Sequence, residues 1–391
     1  MRLLISATLL LLSPLTFANV ETLIIDTGSG HASVTRFPNG DIMVYDTGHW
    51  RIEGAIAEKF SEFIGDADID LLIVSHTDSD HLGATDVLLN SFRVHRVIRP
   101  GITRDTNAWR EHDQAINSAS NSGVTHEINL STTELPHGTQ YNFGGATVTY
   151  LSGFSEPPPS GGLTGSEFLN GGSIVVRVTY NGHSILFTGD AVGRHESNDD
   201  QDAPAIATER FLIDHRNSRP IQSDVLIAPH HGSNDASSKE FISAVAPRWV
   251  VFPAGSHNTY NHPRAVTAQR YLDLGLSPEC LMRTDLGDDE GGQEWSFGSV
   301  SGHDDPYGDD AVSIILQTSG DPVVRYVGKG VQECPQVIAT STAPPVSTNV
   351  IKKSRSGICH TPESSWYART KNFVEFADLT SCLESGGRLL K

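Results

Sequence analysis

Apolar residues along the chain fall into short runs broken by polar loops, and the period of each run predicts its element. Segments 22–26 and 41–46 read as strands that close on Asp26-Thr27-Gly28 and Asp46-Thr47-Gly48, with a third short strand near 33–37 between them. Ile52, Ile56, Phe60 and Phe63 or Ile64 recur at helical spacing over 52–64. A buried strand at 71–75 precedes a polar loop, a helix at 84–91, a strand at 94–99 and a helix at 109–120. A hairpin over 141–151 turns at Gly144-Gly145, and residues 156–165 form a Pro/Gly-rich loop. Segments 173–180 and 183–188 form a second hairpin through Asn181-Gly182, a strong two-residue turn signal. Buried strands at 224–228 and 248–253 and helices at 239–245 and 265–274 follow. Two groups of strands with helices between and after them predict an α+β fold, a sheet-on-sheet core with helices outside.

The 391 residues allow one large core plus a small appendage. Residues 1–18 stand apart: Met1-Arg2 is a short basic start, Leu3 to Leu12 is apolar, and Thr16-Phe17-Ala18 ends on a small residue. That pattern predicts a secretory signal peptide, a mature chain starting near Asn19, and a periplasmic or secreted location. No later stretch approaches eighteen consecutive apolar residues, so no membrane association is expected of the mature form. The main domain is expected over 19–335, a Ser/Thr/Pro/Ala-rich linker over 336–350, and a small tail module over 351–391.

Cys280, Cys334, Cys359 and Cys382 all lie in the last third, and an even count in an exported chain predicts two disulfides. Of the three pairings, Cys280–Cys334 with Cys359–Cys382 is preferred; no Cys-x-x-Cys spacing supports a zinc ribbon. Net charge is −19, yet residues 351–391 carry seven Lys/Arg against four Asp/Glu, leaving −22 on everything before them. An acidic body of this kind repels polyanions, so attraction to nucleic acid has to come from the tail or a metal. The Asp/Gly-rich stretch 285–310 reads as a solvated acidic loop, since it lacks the ligand spacing of a hand-type calcium site.

The chemistry concentrates in His76-Thr77-Asp78-Ser79-Asp80-His81, directly after the apolar Leu71-Leu72-Ile73-Val74. Imidazoles and carboxylates at the end of a buried strand suit a mixed N/O site for Zn or Mn. Two further strands end on ligand types: Ile185-Leu-Phe-Thr-Gly-Asp190, and Asp224-Val-Leu-Ile-Ala-Pro-His230-His231-Gly232-Ser233. Each is a weak signal alone; their order along the chain is the informative feature.

That order resembles the metallo-β-lactamase superfamily, and within it the hydrolase domain of ComEC-type DNA-uptake proteins. The resemblance covers roughly residues 20–275. It includes the Gly28-x-Gly30 turn, Asp46-Thr47-Gly48, the His76–His81 loop, Asn170-Gly-Gly-Ser173, and Asn258-Thr-Tyr-Asn-His262-Pro263. It implies a four-layer αβ/βα sandwich with two divalent ions at one sheet edge. His76 and Asp78 would face the first ion, Asp80, His81 and His230 the second, and Asp190 would bridge them. A metal-bound hydroxide would attack phosphorus or carbonyl, with Asp80 orienting it. His262 would stabilise the oxyanion or protonate the leaving group, its alternative being a loop histidine beside a structural proline. His231 and Ser233 would contact substrate.

One departure bears on metal content. Many family members carry a further His between the first cluster and the Gly-Asp, but 148–173 holds none, and Asp78 replaces a commoner His. The ComEC-type group shows the same Asp. The first site is then ligand-poor, which keeps a single-ion form and a manganese preference open. The expected function is a metal-dependent phosphodiesterase or nuclease, the alternative being a hydrolase of a small ester, lactone or β-lactam. A binding protein with a degenerate site is disfavoured because all six metal-facing residues are of ligand type. The tail resembles short Cys-paired modules at the ends of exported bacterial nucleases. Its Trp366, Tyr367 and Phe373, interleaved with Arg and Lys, could stack on nucleic acid or equally pack a tiny domain. Oligomeric state is not legible.

Overall fold

The computed structural model describes residues 18–158, 162–255, 262–284, 310–335 and, discontinuously, 351–388. The leader up to residue 17, most of the Asn258–His262 motif, the acidic stretch, the linker and Trp366 lie outside the described residues. The chain divides into two compact units, residues 1–335 and 336–391.

In the first unit, the strands of one sheet are β1 (Val20–Ile24), β2 (Ala32–Arg36), β3 (Ile42–Thr47), β4 (Leu71–Ile73), β5 (Arg96–Arg99) and β6 (His126–Asn129). The other sheet holds β7 (Gln140–Phe143), β8 (Ala146–Ser152), β9 (Val175–Tyr180), β10 (His183–Phe187), β11 (Val225–Ile227), β12 (Trp249–Phe252) and β13 (Leu281–Arg283). Two late strands, β14 (Val312–Leu316) and β15 (Val323–Tyr326), return to the first sheet, giving the order β15-β14-β1-β2-β3-β4-β5-β6. The second sheet runs β13-β12-β11-β10-β9-β8-β7. Each sheet is half parallel: β3 through β6 in the first, and β10 through β13 in the second. The helices are α1 (Glu53–Ile64), α2 (Ser79–Leu82), α3 (Thr85–Ser91), α4 (Asn107–Asn121), α5 (Ser166–Asn170), α6 (Ala207–Asp214), α7 (Lys239–Val245) and α8 (Ala265–Asp273).

The layers follow from side-chain alternation. On β3, Met43 and Tyr45 enter the core between the sheets, while Ile42 and Val44 face α1, α3 and α4. On β12, Trp249 and Val251 face inward, while Val250 and Phe252 pack beneath α6, α7 and α8. A strand buried on both faces needs apolar residues at every position, which is why these segments read as unbroken runs rather than alternations. Between the layers, Tyr45 Oη donates to the Ile174 carbonyl at 2.6 Å, tying one sheet to the other. The result is the four-layer αβ/βα sandwich.

Several elements escape the sequence reading: β6, α5, α6, β13, β14 and β15. The last two are short and alternating, with Ser313 and Arg325 among their apolar residues, and they gain definition only in the sheet, β14 by pairing with β1 and β15 by pairing with β14. Cys280–Cys334 bridges the end of this unit with Cα atoms 4.9 Å apart. No helix among the described residues is long and apolar enough to cross a membrane.

The second unit contains a small three-stranded sheet, β16 (Ile351–Ser354), β17 (Cys359–His360) and β18 (Phe373–Phe376), in the order β17-β16-β18. Ile351 and the Cys359–Cys382 disulfide form its core. The Lys352 ammonium lies 4.1 Å from the Tyr367 ring centroid and 4.5 Å from that of Phe373, so those aromatics pack against a lysine of their own unit.

On α4, His112 is buried, with Nδ1 3.1 Å from Thr85 Oγ1. Burial first, and then the Arg99 charge, drives its pKa from 6.5 down to about 3. Once unfolded, the imidazole takes up a proton near 6.5, so stability held above that pH is lost as pH falls toward 3, about 2 kcal/mol of it by pH 5. His112→Gln keeps a partner for Thr85 and removes the titration. Denaturant midpoints for this variant should fall less between pH 7 and pH 5 than those of the parent; equal slopes would remove His112 as the source.

Candidate metal centre

The parallel halves of both sheets deliver polar residues just past their strand ends, so β3, β4, β10, β11 and β12 all feed one edge. At the end of β3, Asp46 is fully buried. It accepts from Ser75 N at 2.6 Å, from Ser75 Oγ at 2.8 Å and from His81 Nδ1 at 2.8 Å. That contact assigns the His81 proton to Nδ1 and turns Nε2 toward the centre. His231 is set the same way by the Pro253 carbonyl, 2.6 Å from its Nδ1, and His230 by Asp235 Oδ1, 2.6 Å from its Nδ1. Three imidazoles thus point Nε2 at one carboxylate, Asp190.

Asp190 follows β10 across Gly189, whose φ is +51°; a Cβ on that glycine would sit 2.7 Å from Ser75 Cβ. The Asp190 N–H donates to Ser173 Oγ at 3.1 Å, which fixes the turn. Its two oxygens face different histidines. Oδ1 lies 3.1 Å from His81 Nε2 and 3.6 Å from His231 Nε2. Oδ2 lies 3.5 Å from His76 Nε2 and 3.6 Å from His230 Nε2. Burial opposes the Asp190 charge, yet His81, His231, His230 and His76 together hold its carboxyl well below the usual range.

Asp80 completes the Oδ1 side, its Oδ2 3.5 Å from His231 Nε2. Its loop is pressed against the β1–β2 turn, where His31 N donates to the Asp80 carbonyl at 3.0 Å. Gly30 there has φ +140°, and a Cβ on it would stand 2.6 Å from that carbonyl oxygen, so no other residue fits. A polar relay supports the loop from below: Thr47 Oγ1 donates to the His81 carbonyl at 3.2 Å and meets Thr85 Oγ1 at 3.2 Å.

The residues present fit divalent ions. His81 Nε2 and His231 Nε2 face each other at 3.0 Å, and each ring's Nδ1 already serves an acceptor, so a cation or a proton must separate their lone pairs. His76 Nε2 and Asp190 Oδ1 are buried without a hydrogen-bond partner. Burial opposes a charged His81, but the Asp190 and Asp46 carboxylates push its pKa well above 6.5, the signature of a site that takes either a proton or a metal. The sets His76, His81, Asp190 and Asp80, His81, His231 each bring ligand atoms within 4.8 Å of one another.

His231 stands with Asp80 and His81 at Asp190 Oδ1, and His230 lies by Oδ2, the oxygen that His76 also faces. The cause is backbone handedness: His230 (φ 47°, ψ 48°) and His231 (φ 52°, ψ 15°) are both left-handed, which sends adjacent side chains to opposite sides of Asp190. Asp78 pairs with Arg104. Ser233 is occupied, its Oγ donating to Glu196 Oε2 at 3.0 Å. His262 stacks near the pair, its ring centroid 5.4 Å from His230 and 6.2 Å from His231.

Other participants carried no assigned role. Asp46 had a visible signal, a strand ending in Asp-Thr-Gly. Asp235 and Asn170, whose Nδ2 lies 3.3 Å from His230 Nε2, had weaker ones. His31, 3.5 Å from Asp46 Oδ2 and grouped with Asp46 and His81, had none. Behind the His230–His231 turn, buried Glu209 accepts the Ser237 and Ser238 N–H groups at 2.6 and 3.0 Å, and Arg270 Nη2 donates to the Ala236 carbonyl at 2.9 Å.

Comparison with known proteins agrees with this geometry. Residues 25–255 match the family described as the metallo-beta-lactamase superfamily. ComE operon protein 3 of Bacillus subtilis (strain 168) is 25% identical over 278 residues, covering 67% of this chain and 32% of that protein. Competence protein ComA of Neisseria gonorrhoeae is 34% identical over 117 residues, 30% of this chain and 14% of that one. Recombination protein 2 of Haemophilus influenzae (strain ATCC 51907 / DSM 11121 / KW20 / Rd) is 27% identical over 267 residues, 67% of this chain and 28% of that one. The chain thus spans a third or less of the length of these relatives.

Asp46→Asn should weaken metal binding about 10–100-fold, since it releases the His81 ring without removing a ligand. Competition against a chelating dye measures this; affinity equal to the parent's would show that Asp46 does not orient His81.

Proposed function

The chain belongs to the metallo-beta-lactamase superfamily of metal-dependent hydrolases, and on that premise we propose that it is an exported, two-metal phosphodiesterase acting on nucleic acid. The observation that carries the reading is the division of Asp190, with His76 and His230 on one oxygen and His81, His231 and Asp80 around the other. These six residues would hold the divalent ions that the reading calls for. The mixed imidazole and carboxylate ligands suit Mn or Zn. When bound, such ions supply hydroxide at neutral pH and offset charge on an attacked phosphorus.

The remaining work falls to the chain's own residues. Asp46, Pro253 and Asp235 keep three imidazoles in the ligating tautomer. Asp80, beside His231, would orient the nucleophile. Burial above all holds His262 well below its ordinary pKa, so it is neutral and would suit hydrogen-bond stabilisation of the oxyanion rather than protonation of the leaving group. Similarity to competence and recombination proteins supports a nucleic-acid substrate. Two disulfides support an oxidising location outside the cytoplasm. The acidic body, −22 outside the tail, favours the second reading, a small neutral carbonyl substrate.

The test is turnover by the full chain, loaded with Mn or Zn, of single- and double-stranded DNA, bis-p-nitrophenyl phosphate and nitrocefin. Hydrolysis of the diester and of DNA is expected. Turnover of nitrocefin alone would replace the phosphodiesterase reading with the carbonyl one.

A further inference from the structure

A cation reaches the ligand loop from outside the cluster. Arg104 Nη1 donates to Asp78 Oδ1, and the Arg104 side chain is 39% exposed against 24% for Asp78. Asp78 sits between His76 and Asp80 at the start of α2. A carboxylate at this position adds one negative charge to an edge that already holds Asp46, Asp80 and Asp190. That charge helps a metal and works against an approaching phosphodiester anion. Arg104 returns the positive charge and places it on the solvent side, where substrate arrives.

The backbone that carries Arg104 is held at both ends. Gly101 lies so close to Ser155 that a Cβ would come within 2.7 Å of its backbone, and Ile102, 7% exposed, packs against Gly172. On the other side Thr106 Oγ1 accepts the Trp109 N–H at 3.2 Å and caps α4. Between these anchors Asp105 pairs with Arg110, which leaves Arg104 to Asp78. A guanidinium offers five N–H donors in a planar fork, and Asp78 engages one nitrogen; the other donors suit the paired oxygens of a phosphate.

We propose that Arg104 is a substrate-binding residue, a phosphate anchor that grips the non-bridging oxygens of the diester beside the first-metal side of the site and selects phosphate anions over neutral carbonyls. Asp78 positions it. The proposal rests on the phosphodiester reading above for its substrate, and the test separates the two.

The measurements use the Mn-loaded full chain carrying Arg104→Ala or Arg104→Lys. For Arg104→Ala, KM for bis-p-nitrophenyl phosphate should rise about tenfold or more, from loss of a charged hydrogen-bond pair, with kcat nearly unchanged. Inorganic phosphate binding by calorimetry should weaken to a similar extent. Turnover of neutral p-nitrophenyl acetate and bound Mn by mass spectrometry should stay at parent values, and Arg104→Lys should recover part of the phosphate affinity. If the parent hydrolyses diesters while Arg104→Ala leaves both KM and phosphate affinity unchanged, the anchor is refuted and the reaction stands. If the parent hydrolyses only carbonyl substrates yet its phosphate binding depends on Arg104, the reaction reading falls and the anchor stands. Loss of Mn in both variants would mean that Arg104 acts through the metal centre, which also overturns the proposal.

Discussion

A fully buried carboxylate organises the functional edge of this protein. Asp46 gathers the backbone and side chain of Ser75 and the ring of His81 onto its two oxygens. It thereby fixes the end of β3 relative to the end of β4 and the start of α2. Burying a charge this way is costly unless every lone pair finds a donor, and here the donors are the very groups that carry or flank the candidate metal ligands. His76 follows Ser75 directly, so its position depends on the same junction.

The opposite wall solves the same problem with different parts. The His230–His231 turn leaves the second sheet in a left-handed conformation and is braced by Asp235, Glu209 and Arg270 rather than by strand pairing. Left-handed backbone at two successive non-glycine residues carries strain, and it survives because this bracing over-determines it. The strain has a use: it spreads adjacent imidazoles across both oxygens of Asp190. A regular strand would also have turned them to opposite faces, but would have carried one of them away from the edge.

This division explains what the amino-acid order revealed and what it hid. Candidate ligands that follow buried strands closely, such as His76 and Asp190, leave a local pattern, an apolar run ending in a ligand type, and His81 lies in the same short polar segment as His76. The choice between His230 and His231 depends on φ signs that neighbouring residue types do not dictate. His31 and Arg104 reach the site from loops without any period, and only tertiary packing against Asp80 and Ser155 aims them. β14 and β15 were hidden for a related reason, since each is too short to declare itself without its sheet neighbour, β1 for β14 and β14 for β15. In the tail, the Tyr367 and Phe373 rings, readable from the sequence either as a stacking surface or as packing, face Lys352 of their own unit.

The Cys280–Cys334 bridge has a mechanical meaning beyond stability. Cys280 lies just before β13, at the end of the second sheet away from the ligands, while Cys334 follows β15 at the edge of the first and is one residue from the boundary at Pro335. Any pull transmitted along the chain from residue 336 onward therefore meets a covalent cross-link before it meets the hydrogen bonds of β15. The cross-link diverts such a load to Cys280 and the start of β13, so the β15–β14 pairing is bypassed.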